Sequence, residues 1–212
     1  MQTILLEGAL LMVILTNIIK GTFQVNSIKK RPHDIVVINH DTGTGLFYKN
    51  TSKDMNFGNN FTDVLADIKY ENTDVNIFNI NTTSEEEANQ LLKDRKIDAI
   101  VIIPHDFSKA MMAMINDTAD TEITSTVGNM VMDGNTRGLS QISAGKGLPQ
   151  AVNTTATVII KGDTGYINFG MTQGILVGVL EQYKDNVNAE VKKEVLNYFG
   201  VTDKSQFYQK RS

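Results

Sequence analysis

Apolar and polar positions change period several times along this chain, and each change marks an element. Asp34 to Asn39 (DIVVIN) is a short β-branched run, which predicts a buried strand. It gives way to Asp41-Thr42-Gly43-Thr44-Gly45, a run with loop chemistry. Between Asn59 and Tyr70, Phe61, Val64, Leu65 and Ile68 recur at helical spacing, predicting an amphipathic helix. Val75 to Ile80 (VNIFNI) predicts a second strand. Thr83-Ser84 followed by Glu85-Glu86-Glu87 places a capping residue and three acids at the positive end of a helix dipole. Ala88, Leu91 and Leu92 form the apolar stripe of that helix, and Lys93-Asp94-Arg95-Lys96 closes it.

Ile97 to Ile103 (IDAIVII) predicts a central strand stopped by Pro104. A helix is expected from near Asp106, turning Phe107, Ala110, Met111, Met114 and Ile115 inward. Thr121 to Val127 (TEITSTV) then predicts a more exposed strand. Gly128 to Asn153 has several glycines and little periodicity, as a flexible excursion would. Ala156 to Lys161 (ATVIIK) predicts another buried strand, and a long helix is expected over 166–198. Strands alternating with helices imply an α/β fold: a mainly parallel mixed sheet flanked by helices.

The first residues differ from all of this. Thr3 to Ile19 is apolar apart from Glu7, and as a helix it would span about 25 Å, at the short end of what a bilayer core requires. No basic stretch precedes it as in a signal peptide. The expected organisation is therefore a membrane anchor and linker over 1–30, an α/β domain over 31–200 and a tail over 201–212. Lys20, Lys29, Lys30 and Arg31 follow the apolar run, and by the positive-inside rule they would keep the domain in the cytoplasm.

With 212 residues, 41% hydrophobic and 21% charged, the chain can bury a real core. The net charge of -4, with signs interspersed, argues against a nucleic-acid surface. The absence of Cys excludes disulfides, thiolate metal sites and Cys nucleophiles. Gly138 to Gly147 superficially suggests a phosphate loop, but six residues separate Gly138 from Gly145 and Gly147 replaces the required hydroxyl.

Asp41, Asp106 and Asp163 each follow a predicted strand. If all three strand ends gather at one rim, their carboxylates could hold a divalent cation, as in a cation-dependent hydrolase; otherwise each is a turn or cap residue, the commoner case. His40 and His105 are expected at the same rim, open to a pH-sensing or acid–base role. His33 completes the histidines, and no HxxxH, HExxH or GxSxG pattern accompanies them. Gly170, Gly174 and Gly178 form a stripe expected to pack on the sheet or on a second protomer. Asn50, Asn60, Asn81, Asn116 and Asn153 lie in N-x-[ST] triplets, which permit an exported location.

Two blocks carry a family resemblance. Asp34 to Gly43 (DIVVINHDTG) resembles the strand and Asn-x-Asp-x-Gly turn that follow the first transmembrane helix of ABC-2 type permeases. Ser84 to Ala88, with Leu91, Leu92, Lys93 and Lys96 to Ala99, runs into Ile100 to Ser108 (IVIIPHDFS). That block resembles one shared with the phage infection protein group. The resemblance implies a large extracytoplasmic domain between the first and second transmembrane helices, on paired permease subunits driven by a separate cytoplasmic ATP-binding subunit. It implies structural roles for Asn39, Asp41, Gly43, Ala88, Pro104, Asp106, Phe107 and Ser108, and supplies no catalytic residue and no cofactor. Set against the charge count, it favours an extracytoplasmic domain. A free-standing anchored surface receptor without an ATPase is the alternative of another class.

Overall fold

The computed structural model describes residues 31–48, 51–132 and 155–198. The apolar run at 3–19, the Gly138–Gly147 loop and the tail over 201–212 lie outside them. Among the described residues, no helix is long and apolar enough to cross a membrane.

A four-stranded sheet is built from β1 (His33–Asn39), β4 (Phe78–Asn81), β5 (Ala99–Ile103) and β6 (Ile159–Lys161) in the order β4-β1-β5-β6. β4 and β5 run parallel to β1, and β6 runs antiparallel to β5. The sheet is thus mixed: three parallel strands with an antiparallel edge. β2 (Thr44–Tyr48) and β3 (Thr51–Met55) form a separate antiparallel hairpin. It grows out of a segment whose sequence signalled only a loop.

The helices are α1 (Phe57–Asp67), α2 (Glu85–Lys93), α3 (Phe107–Met132) and α4 (Ile167–Tyr198). Alternation along β1 and β5 separates two apolar faces. Ile35, Val37, Val101 and Ile103 meet Phe61, Leu65, Phe107 and Leu176 from α1, α3 and α4. On the other face, Val36, Ile100 and Ile102 meet Ala88, with Leu91 and Leu92 packed alongside. α1 and α2 cover opposite faces, as expected where successive right-handed crossovers lead first to one side of β1 and then to the other.

Local chemistry explains most boundaries. Asn56 Oδ1 accepts the Asn59 N–H at 2.6 Å, so α1 begins two residues before the expected Asn59. Ser84 Oγ accepts the Glu87 N–H at 3.2 Å, and Thr83 hydrogen-bonds the Glu87 carboxylate, fastening the first turn of α2. The second strand begins later than expected: Val75 to Ile77 folds back on residues 68–70, through Tyr70 N to the Val75 carbonyl and Ile77 N to the Ile68 carbonyl.

The expected strand over Thr121–Val127 is helical and belongs to α3. Its β-branched composition favours a strand, but Ala119, Glu122 and Thr126 recur at helical spacing and are buried. Thr118 Oγ1 donates to Asn188 Oδ1 at 2.9 Å, tying α3 to α4. Tertiary burial overrides a propensity spread of about 1 kcal/mol per residue. β6 also differs from expectation, for it is a three-residue edge strand with Ile159 half exposed.

The long helix forms as expected, but its glycines do not pack on the sheet. Phe169, Thr172, Leu176, Val179 and Tyr183 are among its buried positions. Gly170, Gly174 and Gly178 point the other way, and a Cβ on any of them would meet nothing within 4 Å. Exposed Ile167, Met171 and Val177 share that outer surface.

Candidate functional site

The two sequence blocks meet at the C-terminal rim of the sheet, where β1 and β5 end side by side and the order of connection reverses. In open α/β sheets such a switch point is where ligands bind. Here it is filled by the chain's own side chains.

Asn39 Oδ1 accepts the Asp41 N–H at 2.9 Å, which folds the turn after β1. The turn aims the Asp41 carboxylate at two helix starts. Oδ2 accepts the Gly58 N–H at 3.0 Å in the first turn of α1, and Oδ1 accepts the Ser108 N–H at 3.0 Å in the first turn of α3. Ser108 Oγ donates to Asp41 Oδ2 at 2.5 Å and accepts the Phe57 N–H at 2.8 Å. One carboxylate and one hydroxyl thus satisfy backbone N–H groups of two helices, with negative charge at the positive end of both dipoles. A carboxylate already sits where an anionic ligand would bind.

The surrounding residues hold this joint in register. Asn39 Nδ2 donates to Asn59 Oδ1 at 2.7 Å, and Asn56 Nδ2 donates to the Asp41 carbonyl at 3.1 Å. Gly43 has φ +73°, and a Cβ there would lie 2.7 Å from the Met55 carbonyl oxygen. The Pro104 carbonyl accepts the Phe107 N–H at 3.1 Å, turning the chain from β5 into α3. Phe107 is buried 6.1 Å from the Phe61 ring, which lies 5.2 Å from Tyr183. Tyr183 donates its hydroxyl to Asn60 Oδ1 at 2.9 Å. Burial, with Asp41 nearby, pushes that phenol above its usual range, so it remains a donor. This use of Asn60 also takes up one of the N-x-[ST] asparagines.

The three aspartates do not converge. Because β6 runs antiparallel, with Lys161 opposite Ile100, Asp163 lies beyond the N-terminal end of β5, at the far edge from Asp41. There it accepts the Gly165 N–H at 2.9 Å and pairs with Arg95 at 3.3 Å. Asp106 is exposed at the rim, and its backbone carbonyl accepts the Ala110 N–H at 3.0 Å. The carboxylate that serves the first turn of α3 is Asp41, not Asp106. No group of three or more His, Cys, Asp or Glu positioned for a metal occurs among the described residues.

His40 and His105 do share the rim. The His40 N–H donates to the Ile103 carbonyl at 3.0 Å, and the His105 carbonyl accepts the Thr42 N–H at 3.2 Å. Both side chains are exposed, and His105 Nδ1 lies 3.9 Å from Asp106 Oδ1. Ala88, from the second block, stands apart on the opposite face of the sheet, fully buried under α2.

Sequence reasoning missed Gly58. A Cβ on it would lie 2.6 Å from Asp41 Cβ and 2.7 Å from Asn39 Oδ1, so only glycine lets α1 approach the turn. A lone glycine at the start of a periodic run was the available signal. Gly58→Ala is expected to destabilise the domain by about 1–3 kcal/mol, as an overpacked site does. Gly174→Ala, with open space around it, should stabilise by about 0.5–1 kcal/mol through helix propensity. Urea denaturation of both variants checks the opposite signs; equal shifts would mean that α1 does not press on the Asp41 turn.

The family model for the ABC-2 family transporter protein matches residues 2–208. It agrees with the ABC-2 resemblance of the two blocks and does not single out the phage infection protein group. No curated protein and no solved structure matches the chain significantly.

Proposed function

This chain belongs to the ABC-2 family of transporter proteins, and we propose that its α/β domain is the extracytoplasmic part of an ATP-driven export permease. Membership makes the chain a membrane transport component of a family whose permeases typically work with a separate ATP-binding subunit. The domain's role in this reading is to dock or gate cargo, paired with an identical subunit, and not to catalyse a reaction. The apolar run at 3–19 serves as the first transmembrane helix, and the domain follows it on the outer side.

The observation that carries this reading is the extent of the family match, which takes in both the apolar run and the α/β domain. The rim adds support. Asn39, Asp41, Phe107 and Ser108 from the two sequence blocks are spent on joining β1, α1 and α3, with Asp41 and Ser108 engaged with backbone N–H groups and with each other.

The chain has no Cys, so single introduced cysteines at exposed Asp67 and Lys192 give a clean accessibility test. In intact cells a membrane-impermeant maleimide should label both positions as fully as after lysis. Labelling that requires lysis would place the domain in the cytoplasm. An ATP-binding subunit should co-purify with the full-length protein; its absence would favour an anchored receptor instead.

A further inference from the structure

At the opposite end of the sheet, His33 opens β1 and is only 3% exposed. Its N–H donates to the Ile77 carbonyl at 2.8 Å, beside β4. Nδ1 lies 2.7 Å from Thr172 Oγ1 on α4 and 3.7 Å from Asp98 Oδ2, just ahead of β5. The ring therefore ties the first turns of α4 to the N-terminal edge of three strands. Its other nitrogen, Nε2, is buried and has no hydrogen-bond partner among the described residues.

The hydrogen-bond pattern selects the tautomer. Thr172 has one hydroxyl proton, and Oγ1 lies 2.8 Å from the Asn168 carbonyl, which can only accept. With that proton given to Asn168, Nδ1 carries hydrogen and donates to Oγ1, and Nε2 is left as a bare lone pair. The other tautomer would bury an N–H with no acceptor, the costlier arrangement.

We propose that His33 is an acid-released latch: a proton taken up at Nε2 detaches the first turns of α4 from the N-terminal edge of the sheet. A cationic ring needs an acceptor at Nε2; among the described residues there is none, so the ring must turn out to water. Burial opposes the cation most strongly and Arg31 adds to it, whereas Asp98 and Asp34 favour it; the balance holds the ring below its ordinary value of 6.5. Asp98 cannot turn fully to the ring, because its Oδ2 also accepts the Asp34 N–H at 3.1 Å. α4 brings no charged side chain between Ile167 and Leu180, and β4 presents the Phe78 ring, 6.4 Å away.

The open form, with the ring in water, binds a proton first. The latch is therefore closed above about pH 6.5 and weakens as pH falls from there to the lower value of the closed form. Over that interval each pH unit lowers the closed-to-open ratio by up to about tenfold. The latch is a property of the fold and holds on either side of a membrane.

Hydrogen exchange on the full chain tests it, comparing pH 7.5 with pH 5 after correction for the intrinsic exchange rate. Residues 167–176 should lose up to about thirtyfold in protection at the lower pH, while residues 85–93 of α2 keep theirs. In His33→Phe, which keeps a ring and cannot titrate, protection should be the same at both pH values. No loss in the unmodified chain, or an equal loss in the variant, overturns the latch. Because a phenyl beside Asp98 can disturb folding, carbon-edited NMR titration of the His33 ring in the unmodified chain is a second measurement. A midpoint below 6.5 is expected, and one at or above 6.5 refutes the latch.

Discussion

Asp41→Ala is expected to lower the unfolding free energy by about 3–5 kcal/mol. Each helix start that loses its carboxylate forfeits roughly 1 kcal/mol of capping. The buried Ser108 N–H and hydroxyl, left without their acceptor, add roughly 1–3 kcal/mol. For a domain of this size the midpoint of thermal unfolding should fall on the order of 10 °C. Asp41→Asn separates geometry from simple polarity. Its amide has one acceptor oxygen where the site uses two, so its nitrogen must face a backbone N–H and most of the loss should remain. Were Asp41 an ordinary solvated turn residue, the asparagine variant would melt within a degree or two of the parent, and the joint would be a misreading.

The second large effect lies directly beneath. Phe107→Ala should cost about 3–5 kcal/mol, the usual range for emptying a well-packed aromatic site. Its ring is 1% exposed and leads through Phe61 to Tyr183, connecting α3, α1 and α4. Tyr183→Phe keeps the stack and removes the hydroxyl, with its hydrogen bond to Asn60 and its longer 3.5 Å contact to the Phe57 carbonyl, so about 1 kcal/mol is expected. Chemical denaturation of the two variants tests the ratio. If Tyr183→Phe proved as damaging as Phe107→Ala, the polar contact rather than the aromatic packing would hold the three helices together.

Much of the fold was legible because local chemistry and burial agree. The β-branched runs in β1 and β5 are buried on both faces and appear as strands. α2 carries a capping serine, an acidic first turn and a basic end, all within one segment. The hairpin of β2 and β3 was missed because its signals are loop residues, and strand pairing is a property of two segments together. The Thr121–Val127 segment was misassigned because β-branched composition was weighed without knowing that α4 would lie against it.

The candidate site divides in the same way. Asn39, Asp41 and Gly43, and Pro104 to Ser108, stood out as blocks, but no spacing rule says that Asp41 serves helix N–H groups 17 and 67 residues later. The cation reading of Asp41, Asp106 and Asp163 assumed that every strand end shares one rim. A single antiparallel edge strand removes Asp163 from it. His33 drew no particular attention in the sequence, since its importance comes from a buried lone pair created by Thr172, far along the chain.

By itself, the order of residues determined the α/β class, the capped helices, the strands rich in β-branched residues and the membrane-transport family. The first three depend on hydrophobic period and short-range hydrogen bonding, which act within a few residues, and the family rests on the resemblance carried by two sequence blocks. Only the tertiary structure decided the direction of β6, the continuation of α3, the open setting of the α4 glycines and the meeting of Asp41 with Ser108. Each of those depends on which distant surface comes to lie within about 3–4 Å, and contacts at that range are set by the packing of the whole domain.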